Sequence, residues 1–178
     1  NILPDSLEKF PNILINNAGI PGPQDALPTK STVEELRKTF DTNFFGTYAM
    51  TRAAVPLLKK ASYGKIITNT SDMGSLGLAT DPKSMFSHII SFPYQASKTA
   101  LNAMTVAFSK EFRDAKLNVT ANSVNPGMTA TDLVDKELFE KNGAKPVESG
   151  AHRAITLALD PKNDANGTFT EDAGIVPW

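Results

Sequence analysis

Tyr94 and Lys98 stand four residues apart in the stretch YQASK, with small or polar residues between them. On a helix, positions i and i+4 share a face. A free tyrosine hydroxyl ionises at about pH 10. A neighbouring ammonium favours the phenolate and lowers that value. A tyrosine so tuned passes a proton to or from an alcohol oxygen near neutral pH. Taken alone, such a pair is also an ordinary solvated helix motif, so the rest of the chain must decide. Ser71, in NTSDMGS, offers a hydroxyl able to hold a carbonyl oxygen beside the tyrosine. No histidine–carboxylate pair is placed by sequence to make it a nucleophile, which argues against a serine hydrolase. Asn43, in DTNFFG, falls inside a helical pattern where asparagine is a poor choice. It marks either a local kink with a back-bonded amide or a working amide.

These side chains need elements that bring them to one place. NILINNAG (12–19) reads as a short apolar strand, buried on both faces, that runs into a polar turn ending in glycine. Ser31 or Thr32 caps a helix, with Glu34 or Glu35 closing a capping box. Its apolar repeat continues to about Lys60 and is bent at Gly46 and Pro56. KIITNTS (65–71) is the second strand. Residues 72–93 form a loop long enough to be functional. Pro93 opens a helix to about Arg113, with Leu101, Met104, Phe108 and Phe112 on one stripe and Ala96, Ala100, Ala103 and Ala107 on the next. LNVTANSV (117–124) is a third strand ending at NPG. A short polar helix over 131–142 and a clearer one over 146–159, stopped at Asp160-Pro161, precede a last strand and glycine turn in GTFTEDAGIVPW.

Alternating strands and helices call for an α/β fold with a parallel, doubly wound sheet. Four strands make only part of such a sheet. Cofactors bind it at the carboxyl ends of the strands. NNAG, Ser71, the Tyr94–Lys98 pair and NPGMTATD all fall at or beside such ends, so they open onto one sheet edge.

The composition excludes other classes. The chain has 178 residues, 40% hydrophobic and 21% charged, with net charge −1. It has no basic field for nucleic acid. There are no cysteines, hence no disulfides or thiolate chemistry, which suits a reducing cytoplasm. His88 and His152 lie far apart, and no metal site is expected. No apolar run approaches the ~20 residues of a membrane span, and the start does not read as a signal peptide.

Together the motifs resemble the short-chain dehydrogenases/reductases, and within them the carbonyl-reductase type. NNAG (16–19), DTNFFG, GKIITNTSDMGS, YQASK and NPGMTATDL follow that family's order from about residue 11 to the carboxyl end. The resemblance implies a Rossmann-like fold and a hydride exchanged between a nicotinamide cofactor and a carbonyl or secondary alcohol. It implies Tyr94 as acid or base and Lys98 as the residue that lowers its pKa and holds the nicotinamide ribose. Ser71 would orient the substrate oxygen, and Asn43 would hold a water linking Lys98 to solvent. Asn17, Ala18 and Gly19 would line the cofactor, with Pro126, Gly127, Thr129 and Thr131 at its nicotinamide end. NADP is the implied cofactor, with NAD open. A small carbonyl or alcohol is the implied partner, and homo-oligomerisation stays open.

Two departures stand out. Tyr94 follows Ser71 by 23 residues, a longer interval than the family's usual one. The insertion GLATDPKSMFSHIISFP should overhang the substrate, with Met73, Met85, Phe86, His88 and Phe92 as candidate walls. The family's glycine-rich phosphate loop and its first strands do not precede NNAG. The chain is therefore expected to be the carboxyl-terminal portion of a single, amino-terminally truncated Rossmann domain, the working protein being about 70–80 residues longer. Two alternatives remain at this stage: a sugar-nucleotide epimerase or dehydratase relative, and a non-catalytic fragment.

Overall fold

The computed structural model describes residues 12–178 apart from 24, 25 and 163. The lead-in to the first strand, residues 1–11, lies outside them. Five strands form one sheet in the order β1-β2-β3-β4-β5. They are β1 (Ile13–Asn16), β2 (Gly64–Asn69), β3 (Val119–Val124), β4 (Phe169–Glu171) and β5 (Gly174–Ile175). The first four run parallel, with Ile15 opposite Ile67, Ile67 opposite Asn122, and Ser123 opposite Phe169. β5 turns back antiparallel on β4. That hairpin was not expected from the sequence, whose last strand and turn were read as one element.

Helices cover both faces because neighbouring strand residues point opposite ways. Ile66 packs with Leu58, Phe112, Val119 and Ala121, beneath α2 (Thr47–Leu58) and α4 (Phe92–Asp114). Ile67 packs with Val124, Ala154, Leu157 and Ala158, beneath α6 (Val147–Leu159). Each fully buried Leu, Ile or Phe of these clusters contributes about 1.5–3 kcal/mol. Lys65, buried in β2, ties the end of α6 to the sheet by donating from Nζ to the Leu157 carbonyl at 2.8 Å and to that of Asp160.

β1 corrects one expectation. Ile15 is exposed, so the strand is not buried on both faces. Among the described residues β1 pairs only with β2 and forms the sheet's edge.

α1 (Val33–Phe40) opens with the predicted capping box, Thr32 and Glu35 each bonding the other's backbone N–H. Such a cap is worth about 1 kcal/mol. The predicted long helix does run on to Leu58, but its middle, Asp41–Gly46, is a π-helical turn centred on buried Asn43. Wide turns of this kind are frequent at functional sites. Pro56 sits inside α2 without ending it.

Residues 72–93 hold more structure than their composition suggests. Asp72–Gly74 is a 3-10 turn, Leu76–Thr80 is a short helix α3, and Met85–His88 is a second 3-10 turn. Serine side chains start all three, Ser71, Ser75 and Ser84 each accepting a backbone N–H. The predicted polar helix narrows to α5 (Lys136–Lys141). Among the described residues no helix is long and apolar enough to cross a membrane.

Candidate active site

α4 carries both Tyr94 and Lys98 in its first turns, with Pro93 at the start of the helix as predicted. Gly74 brings the serine turn against them. A Cβ there would lie 2.8 Å from the backbone carbon and Cβ of Lys98, closer than any side chain is tolerated. The bare backbone instead lets the Gly74 carbonyl accept Thr99 Oγ1 at 3.0 Å and Asn102 Nδ2 at 3.3 Å. This contact, between segments distant in sequence, places Ser71 beside Tyr94, close enough for its hydroxyl to bear on the phenol.

Ser71 Oγ donates to Asp72 Oδ1 at 2.9 Å and accepts the Met73 N–H at 3.2 Å. Its one hydrogen is therefore on Asp72 in the unliganded site. Burial pushes the Tyr94 phenol up to about 12; the Ser71 hydrogen bond opposes the rise and the Asp72 carboxylate adds to it. This corrects the expected lowering by Lys98. The Lys98 ammonium lies over the Tyr94 ring, Nζ 5.5 Å from its centroid, and donates to the Asn69 carbonyl at 3.0 Å. Burial also brings Lys98 down to about 8. Desolvation is the largest cause for both groups, and at neutral pH both hold their protons.

Asn43 braces the site. Its Oδ1 accepts the Ile20 N–H at 2.8 Å, and its Nδ2 donates to the Ile20 carbonyl and to Ser97 Oγ, both at 3.0 Å. Ser97 Oγ in turn donates to the Tyr94 carbonyl at 2.8 Å. With both amide hydrogens committed, Asn43 has only acceptor capacity left for a water. Gly19 passes closely over this pair: a Cβ there would lie 3.4 Å from Asn43 Oδ1 and 3.6 Å from Lys98 Nζ. Asn17 and Ala18 are exposed beside it, and Asn17 Oδ1 accepts Asn69 Nδ2.

The predicted nicotinamide-end loop follows β3. Gly127 has a positive φ of 71°, which favours glycine. Thr129 Oγ1 turns back to the Gly127 carbonyl at 3.0 Å, and Thr131 Oγ1 accepts the Leu133 N–H. The loop is pinned by a small parallel bridge between Thr129 and Lys145, whose backbone accepts the Ala130 N–H and donates to the Met128 carbonyl. Pro126 and Gly127 are half-buried next to Asn125.

Of the candidate walls, Met85 is largely exposed, while Met73, Phe86 and Phe92 are half-buried. An open recess of about 330 Å³ lies elsewhere, lined by Glu148, Ser149, His152 and Asp172, and includes none of the predicted site residues. Among the described residues no group of three or more potential ligands could hold a metal.

Four residues were missed as contributors: Asn69, Asp72, Ser97 and Asn125. Ser97 and Asn125 lie inside the quoted YQASK and NPG motifs. Polar residues at buried helix and strand-end positions were the signal.

The family model for short chain dehydrogenase matches residues 9–142. The chain belongs to that family. A short-chain dehydrogenase, anuI, of Penicillium roqueforti is 33% identical over 153 residues, which is 84% of this chain but 57% of that protein's length. Among solved structures, the carbonyl reductase Sniffer of D. melanogaster matches with TM-score 0.73 and 28% identity, over 95% of this chain and 67% of that one. NADPH-bound carbonyl reductase from chicken fatty liver matches with TM-score 0.75 and 24% identity, over 94% and 66%, a likeness of fold.

Proposed function

We propose that this chain is the catalytic part of a nicotinamide-dependent oxidoreductase of the carbonyl-reductase kind, interconverting a small ketone or aldehyde and its alcohol. The observation that carries this is the Ser71–Tyr94–Lys98 cluster gathered around Gly74. The likeness to the Drosophila carbonyl reductase supports the choice among family activities, and the family resemblance supports NADPH over NADH.

The residues present fit such a cofactor. Buried Lys98 gives one hydrogen bond to protein, to Asn69, among the described residues, although an ammonium has three donors. Its remaining donors suit ribose hydroxyl oxygens. Gly19, Asn17 and Ala18 would line the adenosine side, and Gly127, with Pro126, Thr129 and Thr131, the nicotinamide side. When bound, the dinucleotide supplies or receives the hydride.

The protein's own work is placement and proton transfer. Ser71 turns its hydroxyl from Asp72 to the substrate oxygen and polarises it. Tyr94, held protonated by burial, donates its proton to that oxygen as hydride arrives at carbon. In alcohol oxidation the proton returns to the tyrosinate. Lys98 stabilises that anion across the ring. Asn43 holds the strand-end turn and α4 together, and its free acceptor capacity allows a water that reprotonates Lys98.

The test is NADPH oxidation by the full-length protein over a panel of ketones and aldehydes, with Tyr94→Phe beside it. The variant should lose at least about a hundredfold in turnover while binding NADPH normally. Unchanged turnover would remove Tyr94 from its role.

A further inference from the structure

Asn125 follows β3 and is 3% exposed. Its Oδ1 accepts two backbone N–H groups, that of Asp72 at 3.2 Å and that of Gly127 at 3.1 Å. Its Nδ2 donates to two carboxylates, Asp72 Oδ2 at 3.3 Å and Glu171 Oε2 at 2.7 Å. Both lone pairs and both hydrogens of the amide are therefore used. The three segments it joins are the serine turn, the nicotinamide-end loop and the end of β4. The Asp72 carboxylate continues the chain, because its other oxygen accepts Ser71 Oγ at 2.9 Å and the Met73 N–H at 2.8 Å.

We infer that Asn125 is a positioning residue for the reaction: through Asp72 it sets the direction of the Ser71 hydroxyl, and through Gly127 it sets the cofactor loop, so that both move as one unit. The residue type is demanding. An aspartate here would keep the two N–H bonds and the shape, but would set three carboxylates, its own and those of Asp72 and Glu171, against one another with no proton between them. An alanine would take the acceptor from two N–H groups and one hydrogen bond from each of two carboxylates, each unmet bond costing up to the desolvation of a polar group. The Asp72 charge also acts on Tyr94, adding to the rise of its pKa, so a loosened Asp72 alters the proton donor as well as the hydroxyl beside it.

This inference rests on the reading of Tyr94 as proton donor, and the test separates the two. In the full-length protein, kcat, KM and the pH profile of carbonyl reduction are measured together with NADPH binding. Asn125→Asp should lower kcat by roughly tenfold to a hundredfold, as for a misplacement near 1 Å, and should shift the alkaline limb of the profile. The triple variant Asn125→Asp, Asp72→Asn, Glu171→Gln reverses the two side-chain bonds of residue 125, keeps the others, and should recover most of the lost kcat. If Asn125→Asp does not fold, Asn125→Ser carries the same measurements, with loss of kcat and a shifted limb expected. A wild-type kcat and pH profile in the folded single variant overturns the inference. So does a loss that the triple variant, binding NADPH normally, fails to recover. If Tyr94→Phe retains full turnover, the functional reading falls and this inference with it. If Tyr94→Phe is inactive while Asn125→Asp matches wild type, only the inference falls.

Discussion

The Lys98 ammonium sits over the face of the Tyr94 ring, 5.5 Å from its centroid, and gives its hydrogen bond to the backbone of Asn69. Lys98 is buried and Tyr94 half-buried. Each is pushed toward its neutral form, the phenol to about 12 and the amine to about 8. The pair is thus a desolvated acid beside a weakened cation, ready for a bound cofactor to change the balance.

Tyr94 should ionise well above the ordinary tyrosine range. In an ultraviolet titration of the unliganded protein, Tyr94→Phe should delete a transition near pH 12. Loss of a transition near pH 10 instead would show that Lys98 governs the phenol after all.

Stability should depend on alkaline pH in a defined order. The Lys98 pKa is about 8 folded against about 10.4 unfolded. Between those values the unfolded chain binds the extra proton, so stability rises with pH, by at most about 1.4 kcal/mol per unit. The Tyr94 pKa is raised instead, so its contribution is full below about pH 10 and is lost as pH climbs toward 12. Urea unfolding midpoints should therefore rise from pH 8 to 10 and turn down beyond. Lys98→Met should abolish the rise.

That same substitution should separate activity from stability. Lys98→Met removes a buried charge held by one hydrogen bond to protein, and burying a charge is costly. The melting temperature should stay level or increase, while NADPH affinity falls at least about tenfold, the equivalent of one charged hydrogen bond. A melting temperature that drops by several degrees would show the ammonium to be structural.

Gly74→Ala should damage the site from outside it. The new methyl meets the Lys98 backbone at 2.8 Å, which cannot swing away as a side-chain tip would. Overpacking of this kind costs about 1–3 kcal/mol. Turnover should fall together with the melting temperature, whereas Gly143→Ala, with nothing within 4 Å of its Cβ position, should leave turnover unchanged despite its strained φ of 82°.

The sequence alone determined the alternation of elements, the parallel sheet and the residues that meet at its edge, because apolar periodicity and strand-end motifs are local in the chain. Thr32 with Glu35, Pro93, and Asp160-Pro161 marked helix ends for the same reason. Only the tertiary structure decided how these residues act on one another. Whether Lys98 or burial governs Tyr94 depends on a balance of desolvation and distance that no spacing encodes. The π turn at Asn43, the close approach at Gly74 and the joining of Ser71, Gly127 and Glu171 through Asn125 each involve segments far apart in the chain. Their hydrogen bonds exist only once packing has removed the competing water.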